Sequence, residues 1–477
     1  MIFSSAFFLF AFLPIVAIAY ACLPWKNTVL LIASLFFYAW GEPFYIALLV
    51  LVCLLNWYLG LHILPTRSAR RRKAALTTAV ALNVVVLLYF KYAGFVMENL
   101  NEVLAELGLR RIAFTPPKLP LGISFFIFQA ITYVVDVYRR DTAPARNPAR
   151  VTLYIAMFPQ LVAGPIVRYR EVAMAIRKRS TSFRRVASGA ELFVIGLGKK
   201  VLVADTLAGP VDSIFSMPEG TLTPPLALFG AVCFAVQILF DFSGYTDMAI
   251  GIARAVGFDF PENFNEPYRA SSIQDFWRRW HMTLSRWFRD YCYIPLGGNR
   301  KGPVRTYVNL ITVFFLTGLW HGASWNFIIW GLYHGCFLII ERLGLKSLLD
   351  RAPRPVQLLY VWVVVLIGWV WFRAESLMQG WDMSALLLFR PAEWTRGWSE
   401  VLRYAAGDDL AALGAGLFIS VGGWHALRSA LGRREGHTIV PEPAFGWARS
   451  AALATLSLVC IAAVTSQTQQ AFIYFRF

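Results

Sequence analysis

The sequence predicts an all-α polytopic membrane protein, and three observations carry that class. Hydrophobic residues make up 57% of the 477 residues and charged residues only 15%, against about 25% charged in a soluble domain. Successive apolar runs are long enough to cross a hydrocarbon core of about 30 Å as helices. Basic residues, which leave a formal net charge of +17, gather in short stretches between those runs.

Taken in order, the apolar runs are Phe7 to Leu23, Val29 to Trp40, Phe44 to Leu64, Ala75 to Met97, Leu119 to Tyr138, Leu226 to Ala255, Val356 to Phe372, Leu410 to Leu427 and Ala451 to Thr465. Others are shorter or broken by Gly and Pro, so roughly ten or eleven crossings plus re-entrant and interfacial helices are expected. The first run, within MIFSSAFFLFAFLPIVAIAYACLPW, lacks a basic leader and passes straight into more apolar chain, so it reads as a retained helix. The clusters TRSARRRK (Thr66 to Lys73), YRRDTAPARNPAR (Tyr138 to Arg150) and RYREVAMAIRKRSTSFRR (Arg168 to Arg185) are assigned to the cytoplasm by the positive-inside rule, which puts the N-terminus outside. Their charge suits anionic lipid headgroups, with a polyanionic cytoplasmic ligand as the sharper alternative. Short interhelical loops without a binding module argue against nucleic acid.

Six cysteines, at 22, 53, 233, 292, 336 and 460, show no C-x-x-C spacing, so neither a disulfide framework nor a zinc site is expected. GLGKKV (Gly196 to Val201) lacks the spacing and the hydroxyl of a phosphate loop, which removes support for ATP-driven transport. No internal repeat is visible, which weighs against a transporter.

The polar residues at membrane depth are the informative ones. From Asp275 to Arg300 the chain reads DFWRRWHMTLSRWFRDYCYIPLGGNR, which cannot face lipid; it lies at the interface as an amphipathic helix or lines a polar cavity. In LTGLWHGASWNFIIWGLYHG (Leu316 to Gly335) the apolar leg from Tyr307 to Leu319 spans only about 20 Å as a helix. The His321–Gly322 break then falls inside the membrane, and Gly322-Ala323-Ser324 is a turn before a second leg from Trp325 to Ile340. His321 and His334 are thirteen positions apart, about 140° around one continuous helix, and are not expected to act on one atom. His334 reads as a hydrogen-bonded packing residue. His321, beside a break, is the better candidate for proton transfer, since burial favours a neutral imidazole with one free ring nitrogen. Asp241, Ser243, Tyr245 and Asp247, with Glu191 and Lys199, read singly as structural hydrogen bonds or ion pairs and together as a polar interior.

WHGASWNFIIWGLYHG, with DFWRRWHMTLSRWFRDYCYIPLGGNR and DFSGYTDMAIG before it, resembles the membrane-bound O-acyltransferase (MBOAT) family, its alginate O-acetylation branch in particular. FPQLVAGPIVRY (Phe158 to Tyr169), SLFFYAWGEP and the terminal FIYFRF extend the similarity over nearly the whole chain. The resemblance implies one domain over 1–477, with N-terminal helices (1–140), a catalytic core (141–345) and C-terminal helices (346–477) around a central funnel. It implies that His321 of the WHG motif is the catalytic histidine and His281 of RRWH a second functional one. His321 takes a proton from the acceptor; His281 positions the acceptor or donates to the oxyanion or leaving thiolate. Asp290 orients His281 or pairs with Arg289. Asp275, Trp277, Arg278, Arg289, Asp290, Tyr293, Trp320 and Asn326 are the candidates for holding or supporting substrate. No permanent cofactor or metal is implied. Acetyl-CoA is the expected donor, its phosphates met by the basic loops or by LGGNRKG (Leu296 to Gly302). The expected partner is a periplasmic or membrane-tethered acetyltransferase of the serine-hydrolase type, and the setting a bacterial plasma membrane. The expected acceptor is an extracytoplasmic polysaccharide such as alginate, and a partner-held glycan leaves cellulose, peptidoglycan or another exopolysaccharide open. A transporter or flippase, or a non-catalytic scaffold, would use the same intramembrane polar residues for proton relay or contacts.

Overall fold

The computed structural model describes residues 1–218, 220–390, 394, 397–423 and 443–466. Helices account for the regular structure, with no strand among the described residues. In hydrocarbon this follows from the backbone, whose polar groups must be satisfied within each segment. The apolar runs become Leu13–Cys22, Lys26–Gly41, Ile46–Leu61, Ile123–Arg139, Pro224–Ala255, Arg354–Arg373, Gly407–Ser420 and Pro443–Ser466. The run from Ala75 to Met97 lies within a longer continuous element, Ala69–Glu106. The end of the Leu410 to Leu427 run and the FIYFRF tail lie outside the described residues.

Five described helices are long and apolar enough to cross a membrane, and Phe8–Cys22 and Ile46–Leu61 are shorter apolar ones. The chain is therefore a polytopic α-helical membrane protein. Burial separates the crossing helices into two kinds. In Pro224–Ala255 83% of the apolar window is buried, against 6% in Ala69–Glu106. The first is the axis around which the bundle packs, and the second presents its side to lipid. The main hydrophobic core runs from Phe3 to Val464, with a small second cluster of Ile214, Leu226 and Val401.

Small residues let the axis be approached closely. A Cβ built on Gly244 would stand 2.6 Å from the Gly196 carbonyl oxygen, and one on Gly196 2.5 Å from that of Gly244. Gly244→Val is expected to force the Phe183–Gly198 and Pro224–Ala255 helices apart at about 1–3 kcal/mol, lowering the monodisperse fraction in detergent. Gly414→Val meets nothing within 4 Å and is expected to elute as wild type.

The charges at membrane depth pair with one another. Lys199 reaches Asp247 at 2.6 Å, and Lys200 reaches both Asp205 and Asp241 at 2.6 Å. The GLGKKV run is thus the start of a π-helical turn, Lys199–Ala204, that aims two lysines at carboxylates, as the ion-pair reading expected. Glu191 pairs with Arg449.

Candidate active site

The WHG segment folds as a helix that stops where the motif stops. Pro303–His321 begins with Pro at its first turn and ends on His321, and Gly322 is extended at φ −164°. Ser324 then precedes the helix Trp325–Ile340. Pro303 starts the first helix four residues before the apolar leg, so it spans nineteen residues. Glycine is required at 322 by space, since any Cβ would collide with the Phe327 ring. His321 is thereby fixed at a helix C-terminus, 5% exposed. Trp320, Trp330 and Phe372 face its ring edge-on with centroids at 4.8, 4.9 and 5.1 Å.

His281 arrives from another part of the chain. Of the two readings of the 275–300 stretch, an interfacial amphipathic helix or the lining of a polar cavity, the structure has the second: two short helices, Ile273–Arg279 and Met282–Phe288, put Trp277, Arg278, Leu284, Ser285 and Phe288 on the cavity, with His281 between them in the left-handed region at φ 41°. Phe276, Trp277, Trp280, Leu284, Trp287 and Phe288 are buried. The aromatic residues that suggested a membrane interface therefore pack inside the bundle. The His281 ring is fully buried and lies edge-on to Trp320 at 5.8 Å between centroids. Both histidines thus abut one indole.

Asn263 sets the chemistry of His281. Its Oδ1 accepts from the Thr283 backbone N–H at 3.2 Å and the Thr283 hydroxyl at 2.9 Å, and stands 3.0 Å from His281 Nδ1. An oxygen that already accepts a backbone N–H is an acceptor, so Nδ1 carries the proton and donates. His281 Nε2, buried without a hydrogen-bond partner, then presents a lone pair. In this neutral tautomer it can hold a hydroxyl; donation to an oxyanion needs the imidazolium. Unpartnered buried N–H groups of Trp277, Trp320 and Trp330 belong to the same aromatic shell, and such groups mark where polar ligand or water belongs.

A cavity of about 740 Å³ opens beside this centre. Its outer wall carries Arg278, Asn299, Arg342, half-buried Lys346 and Asp350, and its buried wall Trp277, Phe314, Thr317 and Glu341. Thr317 lies one turn before His321 on the same helix, and Trp277 touches Trp330 at 5.7 Å.

The remaining sequence candidates separate by position. Asp290 does not orient His281. It is bound by Arg289 at 2.7 Å and Arg168 at 2.8 Å, with Arg170 at 3.7 Å. Burial disfavours its charge, yet the Arg289 hydrogen bond and the neighbouring guanidinium charges outweigh this and hold its carboxyl below the usual 3.8. Its contribution to stability is therefore present above that pH and is lost as the pH falls through the lower folded-state value. Asp290→Asn leaves these arginines without their shared carboxylate and is expected to destabilise by about 3 kcal/mol, read as a lowered thermal midpoint at neutral pH. Asp275 accepts from Ser271 N–H and pairs with Arg279, a helix-start role. Asn326 donates to the Ala374 carbonyl at 2.6 Å, tying the second leg to the Arg354–Arg373 helix. Tyr293 lies under Gly298, away from the histidines. His334 packs among Phe276, Trp277, Trp330 and Tyr333. Its Nδ1 has no hydrogen-bond partner, which corrects the expected hydrogen bond.

Two contributors escaped the sequence reading. Asn263, in the unremarkable NFNEP, is eighteen residues from His281 and carries no local signal. Lys91 bonds the Trp320 and His321 carbonyls. A single charge inside the apolar run Ala75 to Met97 is itself the signal of an intramembrane function.

Comparison with known proteins gives the family. The family model of the membrane-bound O-acyltransferases matches residues 44–378. A probable alginate O-acetylase of Azotobacter vinelandii is 44% identical over 404 residues, 83% of this chain and 79% of its own. The peptidoglycan O-acetyltransferase of Helicobacter pylori is 37% identical over 415 residues, 79% and 78% of the two chains. The teichoic acid D-alanyltransferase of Bacillus subtilis is 31% identical over 247 residues, 47% and 60%. The matched span contains both histidines and the cavity, and the chain belongs to the membrane-bound O-acyltransferase family, as a membrane-embedded acyltransferase enzyme.

Proposed function

We propose that the protein takes an acetyl group from cytoplasmic acetyl-CoA and passes it through the plasma membrane for O-acetylation of an extracytoplasmic polysaccharide of the alginate kind. The observation that carries the reading is the pair of buried histidines on one indole, beside a cavity whose outer wall carries Arg278 and Arg342, with Lys346 paired to Asp350 at 2.7 Å. Arg278 and Arg342 suit the phosphates of coenzyme A, and the apolar inner wall suits the pantetheine arm and acetyl group.

In the step proposed, His321 takes the proton of an acceptor hydroxyl as its oxygen attacks the thioester carbonyl. His281 Nε2, an acceptor in its neutral tautomer, cannot share that single proton and positions the acceptor by accepting from another of its N–H or O–H groups. The tetrahedral intermediate expels the coenzyme A thiolate, which receives the proton, leaving an acetyl ester and the free thiol. The indole N–H groups of Trp320 and Trp330 are the nearest unpartnered donors for the intermediate's oxyanion. The acceptor hydroxyl is assigned to the serine of a periplasmic or membrane-tethered acetyltransferase, which then esterifies the sugar. Residues 1–477 act as one unit in the bacterial inner membrane, with the Arg139, Arg168 and Arg170 face cytoplasmic.

Purified protein with such a partner is expected to release coenzyme A thiol from acetyl-CoA in equal amount to acetyl ester formed. Movement of acetyl-CoA without thioester cleavage would be a transporter's behaviour and would overturn the reading, and an inert protein would return the question to a different donor.

A further inference from the structure

The helix that carries His321 ends inside the protein, and its end is closed by residues far away in the chain. The last carbonyls of any helix lack intrahelical donors and carry its negative dipole end. Here Gly322 N–H closes back on Gly318, which leaves the carbonyls of 319, 320 and 321. Tyr92 Oη donates to Leu319 O at 2.7 Å. Lys91 Nζ donates to Trp320 O, and to His321 O at 3.3 Å. Three successive terminal carbonyls are thus met by two successive side chains.

Those side chains come from the helix with the smallest buried share among the described candidate membrane spans. Ala69–Glu106 widens into a π-helical turn at Leu88–Tyr92, and such turns recur at functional sites. The wider turn directs Lys91 and Tyr92 together onto the WHG helix. Lys91 also reaches the Ser124 hydroxyl at 3.5 Å, so these three contacts are all to oxygen dipoles. A lysine kept for anchoring would snorkel to the interface, whereas this one is aimed at the backbone of the motif.

We propose that Lys91, with Tyr92, is the positioning residue of the acyl-transfer centre: together they cap the C-terminus of the Pro303–His321 helix and fix the His321 imidazole. The inference rests on His321 being the base. A displacement of about 1 Å at such a centre costs on the order of 100-fold in rate. The capping pair therefore acts on turnover rather than on donor binding in the cavity.

The experiment compares wild type, Lys91→Met, Lys91→Arg and Tyr92→Phe in detergent, measuring kcat and donor KM on the folded fraction. Lys91→Met is expected to lower kcat about 10- to 100-fold with KM within about twofold, and Lys91→Arg, which still donates to paired carbonyls, to recover most of it. Tyr92→Phe is expected to lose a few-fold. An unchanged kcat for Lys91→Met, a loss confined to KM, or no recovery in Lys91→Arg overturns the proposal. A second arm needs no acyl donor: carbethoxylation of His321 by diethyl pyrocarbonate, followed by peptide mass spectrometry. In Lys91→Met its rate relative to His281 is expected to change at least about threefold, and an unchanged ratio overturns the proposal. A wild type inactive on acetyl-CoA sinks the donor assignment alone, and the labelling ratio still decides Lys91.

Discussion

His321→Ala is expected to lower acetyl transfer by about 10²- to 10⁴-fold, with His321→Gln, which better fills the site, equally impaired. The ring sits at the end of a helix, enclosed by Trp320, Trp330 and Phe372, where no bulk water can replace its proton transfer. The measurement is acetyl ester formed per folded enzyme, with folding followed by size exclusion and thermal midpoint. The glutamine variant separates chemistry from packing: a folded, inactive His321→Gln assigns the loss to the base. Transfer within a few-fold of wild type in both variants would remove His321 from the mechanism.

His281→Ala is expected to cost about 10²- to 10³-fold. Its Nε2 is the buried ring nitrogen left without a partner once Asn263 has taken Nδ1. Asn263→Ala should act in the same direction and less strongly, because it removes the group that fixes the tautomer and leaves the ring in place. The two substitutions share one path, so the double variant is expected to be no worse than His281→Ala alone. Additive losses would mean that Asn263 works independently, through the Thr283 contacts that tie Ile166 N–H into the same network.

How much of this was legible in the sequence divides along contact range. The membrane class, most helix positions, the break at Gly322 and His321 follow from composition, apolar run length and the residues around the break, whereas His281 comes only from the family resemblance of RRWH. The Gly322 break is local: the Gly-Ala-Ser turn announces it, although the helix before it runs nineteen residues and is longer than the apolar leg alone suggested. Features set by distant partners were not legible. The 275–300 stretch has interface composition and packs inside, because Phe264 and Trp369 supply aromatic neighbours for Trp280. Asp290 had Arg289 as its visible neighbour, while Arg168 comes from a loop more than a hundred residues earlier. Lys91 and His321 are 230 residues apart, and no periodicity joins them. The crossing number is also poorly legible, since helices buried on all sides and helices facing lipid read alike.

The most direct test of the account uses sealed proteoliposomes and acetyl-CoA, labelled in the acetyl group and added to one face, with the partner enzyme inside. The expected result is coenzyme A thiol appearing outside while acetyl label accumulates inside as ester, in equal amounts and only when His321 is present. Label that enters still bound to coenzyme A, or thiol and ester formed on the same face, would contradict transfer through the histidine centre.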